Sequence, residues 1–134
     1  MKRDNAEVLI IRKEQELSLM RSMVQRACKE IGMSVLNQTK LITAASELAR
    51  NMLLYARGGK MTLTILPKSG KRVVQLIFED KGPGMADAEK AMQKGYSSRV
   101  NGLGLGLPGT KRLVDYFSLE TKVGEGTTVI IEKS

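Results

Sequence analysis

Three glycine-rich segments interrupt the second half of this chain, and each stands where one sequence pattern gives way to another. Gly82-Pro83-Gly84 follows a strand-like apolar run, Gly102 to Gly106 precedes a helix-like run, and Gly124-Glu125-Gly126 separates two further strand-like runs. Glycine lacks a Cβ, so such segments permit tight bends and the close approach of a second backbone or of a ligand. Any fold of this chain must therefore join short elements through glycine-lined turns.

The first half contains one strand pattern and two helical patterns. Val, Leu and Ile cluster within Glu7 to Arg12 and predict a strand. Apolar residues then recur every three or four positions from about Glu14 to Glu30, which predicts a helix that Gly32 terminates. Ser34 is a suitable N-cap for a second helix that runs to about Tyr55.

The second half pairs strands around glycine turns. The patterns there predict strands at Met61–Leu66, Arg72–Glu79, Ser118–Lys122 and Thr127–Glu132, a weak helix at Met85–Met92 and a helix at Pro108–Phe117. Because the strands occur in consecutive pairs, the sheet should be mixed and mostly antiparallel, with helices covering one face. We therefore predict an α+β fold, a two-layer α/β sandwich, with residues 1–134 forming a single domain.

Composition narrows the classes of function. The formal charge of +8 suits nucleotide phosphates, a nucleic-acid backbone or an acidic partner. The basic residues are scattered and the aromatic residues are only three Tyr and two Phe, which does not favour nucleic-acid binding. The absence of His excludes His-ligated metals and an autophosphorylated His within the chain. With Cys28 as the only cysteine and an N-terminal apolar run too short for a membrane span, we expect a cytoplasmic protein without a membrane partner.

Glu47 and Asn51 lie four residues apart in the second predicted helix, on a shared face away from its apolar stripe. A carboxylate and an amide oxygen at that spacing suit Mg²⁺, which takes few protein ligands and keeps most of its waters. A solvated helix face is the alternative when this pair is considered alone.

Asp80 ends a predicted strand directly before the first glycine segment. A carboxylate in that position can accept a hydrogen bond from the amino group of a bound ring, although a solvated turn has the same pattern. Gly102-Leu103-Gly104-Leu105-Gly106 precedes a helix, where backbone N–H groups can point at phosphate oxygens. The segment matches neither a P-loop nor a Rossmann fingerprint, so a flexible loop remains its alternative.

Four motifs follow one another along the chain: Glu-x-x-x-Asn, Asp-x-Gly-x-Gly, Gly-x-Gly-x-Gly and Gly-x-Gly-Thr. In type and order they resemble the sequence boxes of the GHKL (Bergerat-fold) ATPase/kinase superfamily. The resemblance covers about residues 34 to 132. Within this superfamily the chain is most similar to the small serine/threonine kinases of anti-sigma pathways, the RsbT-type switch kinases of stressosomes. This finer resemblance rests on Ala45 to Asn51, Tyr96-Ser97-Ser98 and Gly102 to Gly109.

The resemblance implies that ATP and Mg²⁺ are the cofactors. Asp80 would bind the adenine amino group, Thr127 would support it through water, and Gly82 and Gly84 would let the base approach. Asn51 would hold Mg²⁺.

Other residues would bind the phosphates and accept the transferred proton. The β- and γ-phosphates would be bound by the second glycine segment, Gly102, Leu103, Gly104, Leu105 and Gly106. Glu47 would be the general base that accepts the proton of the attacking hydroxyl. Met85 to Asn101 would form an ATP lid. Arg99, Lys111 and Arg112 are the nearest candidate cations for the phosphates, with solvated surface as the alternative for each.

The resemblance also implies a function: phosphorylation of a STAS-domain antagonist protein in a partner-switching, stressosome-like pathway. The implied partners are STAS-domain proteins and a downstream phosphatase or regulator. The alternative is an anti-sigma factor, a switch that uses ATP to set its shape without required catalysis. A basic nucleic-acid-binding domain is a third hypothesis, and it predicts DNA binding that depends steeply on salt and is indifferent to ATP.

Overall fold

The computed structural model describes residues 6–84 and 106–134 of the chain. Its elements, in chain order, are β1 (Glu7–Ile11), α1 (Gln15–Glu30), α2 (Val35–Ala56), β2 (Gly59–Lys68), β3 (Lys71–Asp80), α3 (Gly106–Arg112), β4 (Tyr116–Lys122) and β5 (Gly126–Lys133). The strands form one five-stranded sheet in the order β1-β2-β3-β5-β4. The predicted weak helix at Met85–Met92 lies outside the described residues.

The predicted α+β fold is confirmed, and the sheet is antiparallel at every pairing between the described strands. The parallel component of the predicted mixed sheet is therefore not found among these strands. Side chains alternate across a strand, so Leu76, Phe78 and Asp80 share one face of β3. Leu76 and Phe78 are buried in the core beneath α1 and α2. Asp80, at the end of the same row, is thus on the helix side of the sheet.

Local signals fix the ends of both long helices. Ser34 caps α2 by accepting a hydrogen bond from the backbone N–H of Asn37 at 3.1 Å, as predicted. Arg57 and Gly58 end α2 with positive φ angles of 62° and 121°. The predicted termination of α1 at Gly32 is also found, with φ 75°. None of the described helices is long and apolar enough to span a membrane.

The β2–β3 hairpin is longer and tighter than its sequence indicates. Its two central residues, Ser69 and Gly70, have φ angles of 52° and 83°, which is the requirement of a two-residue turn whose twist matches its strands. Pairing extends from Lys68–Lys71 to Lys60–Glu79. The register of the hairpin is therefore continuous along both strands up to Glu79, the residue before Asp80.

The predicted boundary between the last helix and β4 is wrong. The helix predicted at Pro108–Phe117 ends at Arg112, and β4 begins at Tyr116 instead of Ser118. Tyr116 pairs with Glu132 and Phe117 with Ile131. Leu113, Val114 and Phe117 have helical spacing, but strand pairing with β5 overrides that local pattern because aromatic residues fit a pleated, half-buried surface.

The Cys28 thiol is fully buried in the helical layer. Burial raises the pKa of this thiol from its ordinary 9.0 to about 11, because desolvation disfavours the thiolate. We expect the native protein to resist a disulfide reagent at pH 8 and to react stoichiometrically once unfolded in guanidinium. Rapid labelling of the native protein would contradict this assignment.

Because the unfolded thiol loses its proton first, the free energy of unfolding should also fall as the pH rises from about 9 towards about 11.

Candidate functional site

Glu47 is the most deeply buried acidic side chain at the predicted site. It lies in the middle of α2 with only 2% of its side chain exposed. Arg50, one turn further on, places Nη1 3.9 Å from Glu47 Oε2. This burial excludes the alternative that Glu47 lies on a solvated helix face. Burial of a carboxylate is costly unless it is paired.

Asn51 follows Glu47 by one turn on the same helix and is half-buried. Its side-chain amide makes no hydrogen bond to another residue within the described ranges, whereas a buried amide normally has partners. The amide oxygen is consequently available to a ligand. Together with a buried carboxylate one turn away, it fits the oxygen chemistry of Mg²⁺. Residues 6–84 and 106–134 contain no cluster of three or more His, Cys, Asp or Glu side chains that could hold a metal ion by themselves.

Asp80 uses only one of its two carboxylate oxygens within the described structure. Oδ1 accepts hydrogen bonds from the backbone N–H groups of Gly82 at 2.9 Å and Thr127 at 3.3 Å. These bonds tie β3 to the following turn and to β5, and they fix the carboxyl group in one orientation. Oδ2 accepts no hydrogen bond from any described residue, so it remains an acceptor for a ligand.

The C-terminal half of α2 lies against the end of β3, with a glycine between them. A Cβ on Gly59 would stand 2.8 Å from the sulfur of Met52 and 3.1 Å from Cβ of Asp80. Because Met52 follows Asn51 directly, this packing brings the helix segment that carries Asn51 to the strand end that carries Asp80. The structure thus brings together three predicted side chains, those of Glu47, Asn51 and Asp80, on one side of the sheet.

Gly82 and Gly84 have an intramolecular reason to be glycine. A Cβ on Gly82 would overlap the methyl group of Ala56 at the end of α2, and one on Gly84 would overlap the carbonyl oxygen of Lys122. Gly84 also has φ 75°. These close approaches bring α2, β3 and β4 together around Asp80. They hold whether or not a base lies beside the two glycines.

Among the glycines that the structure describes, Gly126 has the tightest surroundings, and it packs against the backbone of Asp80. Its φ is 121°, and a Cβ there would overlap the Asp80 carbonyl oxygen. We expect Gly126→Ala to lower the free energy of unfolding by more than about 2 kcal/mol, because backbone strain and overlap add. Gly124→Ala is the matched control: φ is 82° with nothing within 4 Å of the added Cβ, so it should cost only about 1 kcal/mol. Equal urea midpoints for the two variants would contradict this account.

The remaining predicted site residues divide into two groups. The first group lies outside the described residues: the whole lid from Met85 to Asn101, with Arg99, and the glycine-segment residues Gly102, Leu103, Gly104 and Leu105. Gly106 is the first residue of α3, two positions earlier than predicted. Lys111 and Arg112 are exposed in the last turn of α3, in agreement with solvated surface.

Sequence reasoning missed three residues that shape this site: Arg50, Ala56 and Thr121. Arg50 had a usable signal, because a basic residue three positions after Glu47 lies on a neighbouring part of the helix surface. Ala56 and Thr121 had none. Their contacts with Gly82 and Thr127 depend on which strand end faces which helix turn.

The domain has an acceptor carboxylate at a strand end and a buried carboxylate and an amide on the facing helix, the arrangement that the resemblance to the ATPase/kinase superfamily implies. The family model described as Histidine kinase-, DNA gyrase B-, and HSP90-like ATPase matches residues 36–134. The chain belongs to this family.

Two relatives place the chain more finely. It is 42% identical to serine/threonine-protein kinase RsbT of Bacillus subtilis over 87% of this chain and 86% of that protein. It is 26% identical to the anti-sigma F factor of Caldanaerobacter subterraneus over 95% of this chain and 91% of that protein. Both are short proteins that the chain spans almost end to end.

Solved structures agree on the fold. The RsbU and RsbW domains of Rv1364c from Mycobacterium tuberculosis superpose with a TM-score of 0.66 at 16% identity, covering 96% of this chain and 32% of that one. The catalytic domain of histidine kinase ThkA superposes with a TM-score of 0.55 at 15% identity, covering 95% of each chain. At these identities the likeness concerns the fold alone.

Proposed function

We propose that this chain is a cytoplasmic serine/threonine protein kinase that uses ATP·Mg²⁺ to phosphorylate a STAS-domain antagonist protein in a partner-switching pathway. The observation that carries the proposal is the buried Glu47 carboxylate, 2% exposed, one turn from Asn51 and on the same side of the sheet as Asp80. The 42% identity to a protein named as a serine/threonine kinase supports it.

Nucleotide binding in this proposal begins at Asp80. Its Oδ2 would accept a hydrogen bond from the adenine amino group, while Oδ1 keeps the carboxyl group oriented through Gly82 and Thr127. The phosphates would extend towards α2, where the Asn51 amide oxygen would hold the metal and the amides of Gly102 to Gly106 would bind phosphate oxygens. Bound Mg²⁺ would neutralise charge on the phosphates.

Glu47 would act on the second substrate. A Ser or Thr hydroxyl that attacks the γ-phosphorus must lose its proton, and a carboxylate held within reach can accept it. The oxygen–phosphorus bond forms as the bond to the ADP oxygen breaks, and the proton passes from the hydroxyl to Glu47. Arg50 Nη1 lies 3.9 Å from Glu47 Oε2, so the two side chains form an ion pair at a separation longer than a hydrogen bond.

The proposed partners are STAS-domain proteins, with a downstream phosphatase or regulator as a second partner released or engaged by phosphorylation. The direct test is a phosphotransfer assay with γ-labelled ATP, Mg²⁺ and the STAS proteins encoded nearest to this gene. Label on a Ser or Thr of one of them is expected. If the chain binds ATP but labels none of them, the kinase proposal fails.

An anti-sigma switch is the second candidate, favoured by the 26% identity to an anti-sigma F factor over most of both chains. It predicts ATP-dependent capture of a sigma factor that survives Glu47→Ala and is lost in Asp80→Asn. The kinase proposal instead predicts that Glu47→Ala removes phosphotransfer. The same pair of variants, assayed for capture and for transfer, separates the two functions.

A further inference from the structure

A row of polar side chains crosses three strands at the edge of the proposed adenine site. Thr121 on β4 pairs with Thr127 on β5, and Thr127 pairs with Asp80 on β3. All three side chains lie on the helix side of the sheet, because each stands in register with its neighbour. Thr121 Oγ1 is 2.9 Å from Thr127 Oγ1, and the backbone N–H of Thr127 donates to Asp80 Oδ1 at 3.3 Å.

The direction of the Thr121–Thr127 hydrogen bond follows from counting protons. Thr121 Oγ1 also lies 3.3 Å from the carbonyl oxygen of Gly126, which can only accept. A hydroxyl has one proton, so Thr121 donates to Gly126. With that proton on the Gly126 carbonyl, Thr127 is the donor and Thr121 the acceptor in the 2.9 Å contact, one of the two directions that the distance between the hydroxyls allows.

This direction determines what Thr127 offers to a ligand. With its proton committed to Thr121, Thr127 Oγ1 presents only lone pairs, and Asp80 Oδ2 beside it is an acceptor as well. Two neighbouring acceptors select a base edge that supplies protons. At the 6-position adenine supplies protons through its amino group, directly or through a water molecule, whereas a 6-oxopurine has a carbonyl oxygen there and carries its edge proton on N1 instead.

We infer that Thr121 is a positioning residue for nucleotide selection: it fixes Thr127 as an acceptor and so favours a 6-aminopurine over a 6-oxopurine. The inference rests on the proposed function, because it requires the base to lie at Asp80. Thr121 itself does not touch the base. Without its hydroxyl, the Thr127 proton is released and can be donated to a 6-oxo group.

The test compares ATP with inosine triphosphate, which carries a carbonyl oxygen in place of the 6-amino group. Affinities are measured by displacement of a fluorescent ATP analogue in Thr121→Val, Thr121→Ser and the wild type. For Thr121→Val we expect ATP binding to weaken about 3- to 10-fold, the scale of one hydrogen bond, with inosine triphosphate binding unchanged or tighter. Thr121→Ser should retain wild-type selectivity, because it keeps the hydroxyl.

Thr128→Val is the matched control, since Thr128 lies on the same strand pair but on the opposite face of the sheet, across from Glu120. It should leave both affinities unchanged. A wild-type ratio of the two affinities in Thr121→Val, or an equal loss of selectivity in Thr121→Ser, overturns the inference. If Asp80→Asn does not weaken ATP binding, the proposed adenine site fails instead. Thermal melting confirms that each variant is folded.

Discussion

Replacing Glu47 by Gln is expected to lower the phosphotransfer rate about 100- to 10,000-fold, the usual contribution of a positioned general base, while ATP affinity stays within about twofold. Gln has nearly the shape of Glu, so it preserves packing at a side chain that is 2% exposed. It removes the negative charge that would accept the hydroxyl proton. The measurements are kcat with a STAS substrate and the dissociation constant for ATP·Mg²⁺.

Glu30→Gln is a close control for this variant. Glu30 also belongs to a helix and has an Arg72 nitrogen 3.8 Å from its carboxylate, but its side chain is 60% exposed. Losing an exposed ion pair changes stability by less than about 1 kcal/mol and should not affect transfer. A kcat for Glu47→Gln within about tenfold of the wild type would remove Glu47 from the general-base role, and parallel losses in both variants would indicate a structural effect.

The second large effect is expected at Asp80. Asp80→Asn should weaken ATP binding by about 10- to 100-fold or more, because a hydrogen bond to a charged group contributes about 1.5 to 3 kcal/mol. The Asn oxygen can still accept from the N–H groups of Gly82 and Thr127, so the fold should persist. The new NH₂ group would then face the adenine amino group, donor against donor.

Glu79→Gln is the neighbouring control, because Glu79 points to the opposite face of β3 and pairs with Lys60 at 3.8 Å. ATP binding by calorimetry should be indistinguishable from that of the wild type. Wild-type affinity in Asp80→Asn would place the base elsewhere. Equal losses at positions 79 and 80 would show that the end of β3 matters for stability and not for base recognition.

Much of the fold could be predicted because its signals are local. The Ser34 cap, the stop after Tyr55 and the β2–β3 hairpin depend on residues within a few positions of one another, and their patterns survive in the folded chain. The start of β4 could not be predicted. Leu113 to Phe117 satisfies helical spacing, and only pairing of Tyr116 with Glu132, sixteen residues further along the chain, decides for a strand.

The glycine segments and the residues around them show which features the sequence determines and which features the tertiary structure decides. The sequence by itself determined that the Glu47–Asn51 pair, Asp80 and the glycine segments follow one another in the order of one ATP-binding family, because residue identity and spacing are properties of the chain. Only the tertiary structure decided that Glu47 is buried, that Gly126 makes room for the Asp80 backbone and that the hydroxyl groups of Thr121 and Thr127 lie 2.9 Å apart. Burial and register depend on distant segments meeting, and no local pattern encodes which atoms they bring together.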